Sequence, residues 1–477
     1  MGKNKDKIRI RFVGNNAINV TGSQILIECG KSKKKILVEC GLTQENMSLL
    51  KSYQINSKKF NFKPKELNYI FLCHSHIDHI GLVPRLYKEN CEAKIIAPVL
   101  MQKFFKEMCL DSAKIMERDS IDLTKKFKKE YPPIYKIENI YQALQYWKEY
   151  PINEKIELDE DIQFRFVGSG HIIGACQLEL WIRNGSSIKK IAITSDLGNI
   201  SVHQYYISDF TPIENANLLI GEATYNSSKR STSEKDRIKD LQKIKDIVNQ
   251  TCLEKKAKIL IPTFALARCQ SILTHLYDIF GEDCNFNVTI AIDSPLAIKL
   301  TDLYKEVLKG EDLKKFEKVM QWENIKKLKE FSDTEKFLND KNACIFLSCN
   351  GMMTAGRSTY VASKLLPNAD NHILFCGYST EGSLAWKIKQ KKFKTVSIDG
   401  KQIPCRCGIT ALNSFSSHMQ HDDLLRYYSN YIFDKIALVH GEFKGKCIFA
   451  KELQEEISKK NKTGKVICVN TSTEILL

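Results

Sequence analysis

Short apolar runs separated by polar turns fill the first hundred residues, and their length predicts strands. Ile8-Arg-Ile-Arg-Phe12 alternates strictly, and Gln24-Ile-Leu-Ile27, Lys35-Ile-Leu-Val38 and Ile70-Phe-Leu-Cys73 are brief and rich in β-branched residues. From about 98 to 150 the chain is charged and reads as helix. Strands return at Ile162-Gln-Phe-Arg-Phe-Val167, Gln177-Leu-Glu-Leu-Trp-Ile182 and Lys190-Ile-Ala-Ile-Thr194. Near Pro212 the pattern changes. Ser231-Thr-Ser-Glu234 has capping-box form, and Ile238, Leu241, Ile244 and Val248 follow at helical spacing. Strands at Ile259-Leu-Ile261, Val288-Thr-Ile-Ala-Ile292, Ala343-Cys-Ile-Phe-Leu347 and His372-Ile-Leu-Phe375 then alternate with helices, as in a parallel sheet. Residues 302–340 read as a lysine-rich, solvated helical stretch, and Lys435-Ile-Ala-Leu-Val439 adds a strand before His440. The fold class is α/β, with no internal repeat and no low-complexity linker.

Composition narrows this picture. A chain of 477 residues divides into several domains and buries a large core. Hydrophobic content of 43% with 27% charged residues excludes a disordered chain. No apolar run approaches the roughly 20 residues that span a bilayer, and the start, Met1-Gly-Lys-Asn-Lys, has no signal core, although Gly2 is a weak myristoylation hint. The sixteen cysteines are scattered, several in apolar runs (Cys73, Cys176, Cys344, Cys376), with no CxxC pair and only Cys405-Arg-Cys407 close together. Free buried thiols in a reducing compartment are expected, and with them a cytoplasmic location. Lys plus Arg outnumber Asp plus Glu by 72 to 56, a net +16, which suits a polyanionic partner such as nucleic acid or reflects dispersed lysines alone.

The chemistry concentrates in His74-Ser-His76-Ile-Asp78-His79, immediately after the apolar run that ends at Cys73. Imidazoles and a carboxylate suit zinc or a similar divalent ion, and four such side chains on one loop exceed what one tetrahedral ion takes. A two-metal centre is expected. Three further segments put a ligand-type residue after a strand or between glycines: Gly170-His171-Ile-Ile-Gly174, Ser195-Asp196-Leu-Gly198 and Val439-His440-Gly441. Together they make seven ligands, enough for two metals sharing a carboxylate and a water. Metals about 3.5–4 Å apart turn water into a nucleophile and steady a pentacoordinate phosphorus. A histidine off the metals would protonate the leaving oxygen, and Ser414-Phe-Ser-Ser-His418 offers one. His421 is an alternative acid, while His203, His275 and His372 lack supporting context.

This set of segments resembles the metallo-β-lactamase superfamily, specifically its β-CASP ribonuclease family and the bacterial and archaeal relatives of the pre-mRNA 3′-end cleavage endonuclease. The segments that carry the resemblance, in family order, are HxHxDH at 74–79, the later GH, SDLG, Glu222-Ala-Thr-Tyr225, Ile261-Pro-Thr-Phe-Ala265, Asp293-Ser-Pro-Leu-Ala297, Gly351-Met-Met-Thr-Ala-Gly-Arg357, Ser414–His418 and Val439-His-Gly-Glu442. The resemblance implies a metallo-β-lactamase αββα sandwich (1–212 and 409–477) with an inserted α/β β-CASP cap domain (213–408) that would close over the metals. It implies that His74, His76 and His171 hold one Zn2+, that Asp78, His79 and His440 hold a second, and that Asp196 bridges them; Mn2+ is the other candidate ion. Asp78 would orient the hydroxide nucleophile, and His418, supported by Glu222, would be the general acid. Arg268, Arg357 and Ser358 are candidates to bind phosphate, with helix-cap or salt-bridge roles the equal alternative.

The activity so implied is an endoribonuclease, with 5′–3′ exonuclease action open to it, on single-stranded RNA. A DNA nuclease of the same fold or a non-catalytic RNA-binding subunit are the alternatives. Histidine at 440 favours RNA. No membrane partner is implied, and a homodimer is compatible with the resemblance. The chain departs from the family pattern at Glu39, where aspartate is usual, at Ala223 and Asn226, at Ala267 before Arg268, and at Gly382-Ser-Leu-Ala-Trp386. Substrate choice is then expected from the cap domain, basic helices or partners, because no appended RNA-binding domain follows in this sequence.

Overall fold

The computed structural model describes residues 6–226, 232–377, 379 and 381–477. No helix among them is long and apolar enough to cross a membrane. Gly2 and Ser231 lie outside the described residues. The chain forms two compact units. One takes Met1–Ile200, Ile207–Ser231 and Ser417–Leu477, the other Ser201–Tyr206 and Thr232–Ser416; the sequence reading drew the second as 213–408.

The first unit is two seven-stranded sheets face to face. In one, the order is Glu474–Leu476, Ile8–Phe12, Ile25–Cys29, Lys35–Val38, Tyr69–Phe71, Lys94–Pro98, Trp147–Tyr150. In the other it is Lys465–Cys468, Lys435–Val439, Leu218–Glu222, Ser187–Ile193, Cys176–Asn184, Ile162–Gly168, Ile156–Glu157. Alternation puts one face of each strand inward. Ile8, Ile10 and Phe12 meet Phe164, Phe166, Leu178 and Leu180 in one buried core. Helix Met101–Phe127 covers the outer face of the first sheet, and helices His421–Asn430 and Phe443–Lys459 cover the second. This αββα layering brings the C-terminal ends of the strands Tyr69–Phe71, Leu218–Glu222 and Lys435–Val439 to the loops that carry the histidines.

The second unit is a six-stranded parallel sheet, ordered Ile325–Lys327, Thr289–Asp293, Cys344–Cys349, Lys258–Thr263, His372–Phe375, Gly408–Ala411. Its central strands are buried on both faces, which explains the unbroken apolar runs.

Four local expectations need correction. Trp147–Tyr150, inside the segment read as helical, is an edge strand paired in parallel with Lys94–Pro98. Ile325–Lys327, inside the lysine-rich stretch, is likewise an edge strand, beside Thr289–Asp293. Short edge strands owe their state to the neighbour that pairs with them rather than to local propensity. The capping box sits two residues on: Ser233 accepts from the amide of Asp236, and the Asp236 carboxylate accepts from that of Ser233. Finally, Cys447 and Cys468 form a disulfide that ties helix Phe443–Lys459 to strand Lys465–Cys468, with Cα atoms 5.4 Å apart. The other fourteen cysteines are not disulfide-bonded, and most are buried.

Candidate metal centre

Strand Tyr69–Phe71 delivers the cluster, and backbone pairing holds it. After His74 the chain turns at His76, which caps the short helix Ile77–Ile80 with extended backbone. That helix is sewn to the segment after strand Lys35–Val38: Cys40 N donates to His79 O and Leu42 N to Ile77 O, at 2.8 and 3.0 Å. Gly41 permits it, since a Cβ there would lie 1.5 Å from the Asp78 carbonyl oxygen. His171 follows Gly170, whose φ of +73° turns the chain. Asp196 and His440 lie just beyond the strands Ser187–Ile193 and Lys435–Val439. The His440 amide donates to Asn16 O at 2.8 Å.

These segments, far apart in sequence, bring seven side chains to one buried point. Asp196 is at its centre. Its Oδ2 lies 3.5 Å from His74 Nε2 and 3.6 Å from His171 Nε2. Its Oδ1 lies 3.3 Å from His79 Nε2 and 3.5 Å from His440 Nε2. Asp78 Oδ2 is 3.7 Å from the same two nitrogens, and His76 Nδ1 is 3.3 Å from His171 Nε2. The donor atoms of His74, His76, His171 and Asp196 fall within 4.8 Å of one another, as do those of Asp78, His79 and His440. Glu39 also groups with His74 and His79, but on the far side of their rings.

Nδ1 of His74, His79, His171 and His440 each has a partner on the side away from Asp196. Glu39 Oε2 accepts from His79 Nδ1 at 2.6 Å, and the Ser417 carbonyl accepts from His171 Nδ1 at 3.2 Å. Ser195 Oγ faces His74 Nδ1 at 3.2 Å, and Thr224 Oγ1 faces His440 Nδ1 at 3.0 Å. With the Nδ1 proton committed outward, Nε2 presents a bare lone pair inward. Nε2 of His74, His79 and His440 and Oδ1 of Asp196 are buried with no hydrogen-bond partner among the described residues. Buried polar atoms are otherwise almost always satisfied. This donor set fits a cation.

The charge balance agrees. Burial pushes the carboxyls of Asp196, Asp78 and Glu39 up, but neighbouring histidine rings and hydrogen bonds hold all three below the usual range, so they are ionised. Burial pulls His76 down to about 3, with His74 adding to it, and keeps His171 and His74 neutral. His79 alone goes the other way: burial opposes its charge, yet Glu39, Asp196 and Asp78 raise it well above the usual value. Three carboxylates gathered around His79, with His74, His76 and His171 held neutral, make a pocket that favours positive charge.

His418 stands beside this centre. Its ring lies 4.6 Å from that of His171, and its Nδ1 is 3.5 Å from Glu222 Oε1. Glu222 is itself fixed, accepting from the amides of Leu197 at 2.8 Å and Thr224 at 3.1 Å. Burial lowers the affinity of His418 for a proton, but the Glu222 charge and hydrogen bond outweigh it and the ring is held above its usual value. His421 is engaged elsewhere, with Asp422 at 2.9 Å and Glu452 at 3.1 Å.

The expected phosphate contacts divide. Arg357 donates to Asp293, Leu328 O and Lys329 O, and Ser358 is fully buried with its hydroxyl on the Asn350 backbone. These contacts give both side chains a structural role inside the second unit. Arg268 opens helix Arg268–Phe280. His203 and His275, without context in sequence, meet at Arg237: its guanidinium donates to His203 O at 3.3 Å and His275 Nε2 at 2.9 Å. His372 pairs with Thr410. Sequence reasoning missed Ser195, Thr224 and Ser417. All three lie within segments already singled out, next to a residue of the site, and that adjacency was the available signal.

Comparison with known proteins bears on the whole chain. The Metallo-beta-lactamase superfamily model matches residues 19–112, the Beta-Casp domain model 269–388, and the Zn-dependent metallo-hydrolase RNA specificity domain model 402–463. A ribonuclease of Thermus thermophilus is 26% identical over 432 residues, covering 89% of this chain and 91% of that one. An RNase J-like protein of Methanocaldococcus jannaschii is 28% identical over 389 residues, 79% and 82% of the two chains. An endoribonuclease of Schizosaccharomyces pombe is 24% identical over 395 residues, and there the chain spans about half of the relative, 48%, against 80% of its own length.

Proposed function

The chain belongs to the β-CASP ribonuclease family of the metallo-β-lactamase superfamily, and on that premise we propose that it is a metal-dependent ribonuclease that hydrolyses phosphodiesters in single-stranded RNA. His74, His76 and His171 would hold one divalent ion and Asp78, His79 and His440 a second, with Asp196 available to both. The imidazole-rich donor set suits zinc, with manganese the next candidate. Two ions held there supply an activated water and offset charge building on the phosphate. One observation carries the assignment: Asp196 turns one oxygen to the His74 and His171 nitrogens and the other to those of His79 and His440, at 3.3–3.6 Å, while those nitrogens have their Nδ1 protons committed elsewhere.

The protein supplies the rest of the chemistry. Asp78 orients the attacking water from the edge of the cluster. His418, whose side chain keeps 20% exposure where Glu222 has 1%, can meet a substrate; Glu222 steadies its Nδ1, leaving the other ring nitrogen to protonate the departing 3′ oxygen. The net charge of +16 supports a polyanionic substrate, and Arg268 is the remaining candidate among the expected phosphate contacts. The relatives named as ribonucleases support RNA over DNA, as does a histidine at 440. Metal content is to be measured alongside cleavage of 5′- and 3′-labelled RNA and single-stranded DNA, with wild type beside His76→Ala and His418→Ala. We expect about two ions per chain, RNA cut faster than DNA, no cleavage by His76→Ala and severely slowed cleavage by His418→Ala. Cleavage that survives His76→Ala would overturn the mechanism, and faster cutting of DNA would overturn the substrate.

A further inference from the structure

Two residues beside the metal centre adopt a backbone that side chains resist. Glu39 has φ +62° and Ser195 φ +48°, both in the left-handed region that glycine enters freely. Strain held at a site points to something the side chain does there. Ser195 is buried, and its hydroxyl has a fixed sense. It donates to Glu39 Oε1 at 2.6 Å, since a carboxylate offers only acceptors, so the same oxygen must accept from His74 Nδ1 at 3.2 Å. The other Glu39 oxygen takes the His79 Nδ1 proton directly at 2.6 Å. His74 and His79 belong to different metal triads in the assignment above.

We infer that Ser195 is a positioning residue: it relays the Glu39 carboxylate to His74, so that one buried acid sets the tautomer of one ligand for each of two ions. The extra methylene of Glu39, relative to the aspartate usual in the family, gives its two oxygens the span to reach His79 and Ser195. Without the relay, a water or a bare cavity beside Nδ1 leaves His74 free to put its proton on Nε2, where an ion must bind. Glycine at 195 would relax the backbone and lose the relay; threonine would keep the hydroxyl and worsen the backbone, because a branched Cβ fits the left-handed region poorly. Stability and metal affinity are thereby driven in opposite directions, which a merely structural serine would not do.

This inference rests on the two-ion reading, and the experiment separates them. Metal-free wild type, Ser195→Gly, Ser195→Ala and Ser195→Thr are titrated with Zn2+ against a chromophoric chelator and with Co2+ followed by its visible absorption, and apo melting is recorded for each. His76→Ala and His440→Ala mark which binding phase belongs to which ion. We expect Ser195→Gly to melt at or above wild type yet lose about tenfold or more in affinity in the phase that His76→Ala abolishes, with the His440 phase within about twofold. Ser195→Ala loses that affinity without the gain in melting, and Ser195→Thr melts lower but keeps wild-type affinity. Wild-type affinity in Ser195→Gly, or equal loss in Ser195→Thr, would overturn the inference while leaving the two-ion reading intact. A wild type with a single phase would overturn the two-ion reading, and the relay between ions with it.

Discussion

Two buried aspartates, one in each unit, were satisfied in opposite ways. Asp293 ends strand Thr289–Asp293 and is fully buried, accepting from Thr334 at 2.6 Å, Ser348 at 2.7 Å and Arg357 at 3.0 Å. Asp196 lies just past strand Ser187–Ile193, almost as buried, but four imidazole nitrogens surround it at 3.3–3.6 Å and its Oδ1 has no hydrogen-bond partner among the described residues. A buried charge must be compensated. The second unit compensates Asp293 with its own donors, which makes it a strut. The first unit surrounds Asp196 with imidazoles, of which His79 is held charged, and a cation between them would complete the compensation. The same residue type at the same kind of strand end is structural in one place and ligand-binding in the other, and its partners decide which.

Breaking each aspartate should separate the two cases. Asp196→Asn is expected to cut RNA cleavage by at least about a thousandfold, the several kcal/mol that a metal centre supplies, while the metal-free chain melts no lower than wild type. Asp293→Ala should instead destabilise by roughly 3 kcal/mol, because Arg357 is left without its carboxylate. Urea unfolding beside single-turnover cleavage reads both. Unfolding of apo Asp196→Asn would erase the distinction.

The acid beside the centre gives the next largest effect. His418→Ala should retain bound metal and lose roughly 10²–10⁴-fold in rate. The raised His418 pKa fixes the sign of its pH dependence: the ring must be protonated to act as an acid, so rate falls as pH rises through that value. In Glu222→Gln the charge that raises it is gone, and the falling limb of the pH–rate profile should move to lower pH. A limb that stays in place would remove Glu222 from this role.

Metal removal should then sharpen the contrast thermally. Chelation lowers the melting temperature of wild type and of Ser358→Ala, and leaves Asp196→Asn unmoved. An ion at a hundred times its dissociation constant contributes about 2.7 kcal/mol.

Lys446 provides the smallest test. It is a buried base that meets the Ala17 carbonyl, where the partly buried Arg357 meets a carboxylate. Burial pulls it down to about 7. Between that value and the ordinary lysine value the unfolded chain binds more protons than the folded one, so stability rises with pH across the window. Lys446→Met should flatten that rise, measured as urea midpoints at two pH values inside it.

Much of this protein was legible along the chain. Alternation predicted Ile8–Phe12, Lys35–Val38 and Lys435–Val439, and unbroken apolar runs predicted the parallel strands of the second unit, because burial on one face or both leaves its period in the residues. Histidines and aspartates after strands predicted the residues that the fold gathers around Asp196. The edge strands Trp147–Tyr150 and Ile325–Lys327 were not legible, since a neighbour's hydrogen bonds stabilise them. Nor was the Cys447–Cys468 pairing, which depends on a helix packing beside a strand.

The sequence by itself determined which side chains carry the chemistry and the layered α/β class, since residue type and periodicity are local properties. Only the tertiary structure decided what each charged group does. It tied Arg357 to Asp293 and Ser358 to the Asn350 backbone, turned Nε2 of His74, His79, His171 and His440 inward by engaging their Nδ1 atoms, and set Ser195 between Glu39 and His74. Those outcomes depend on hydrogen-bond partners up to 246 residues apart, as for His171 and Ser417. No local pattern encodes the direction in which a proton is shared across such a distance.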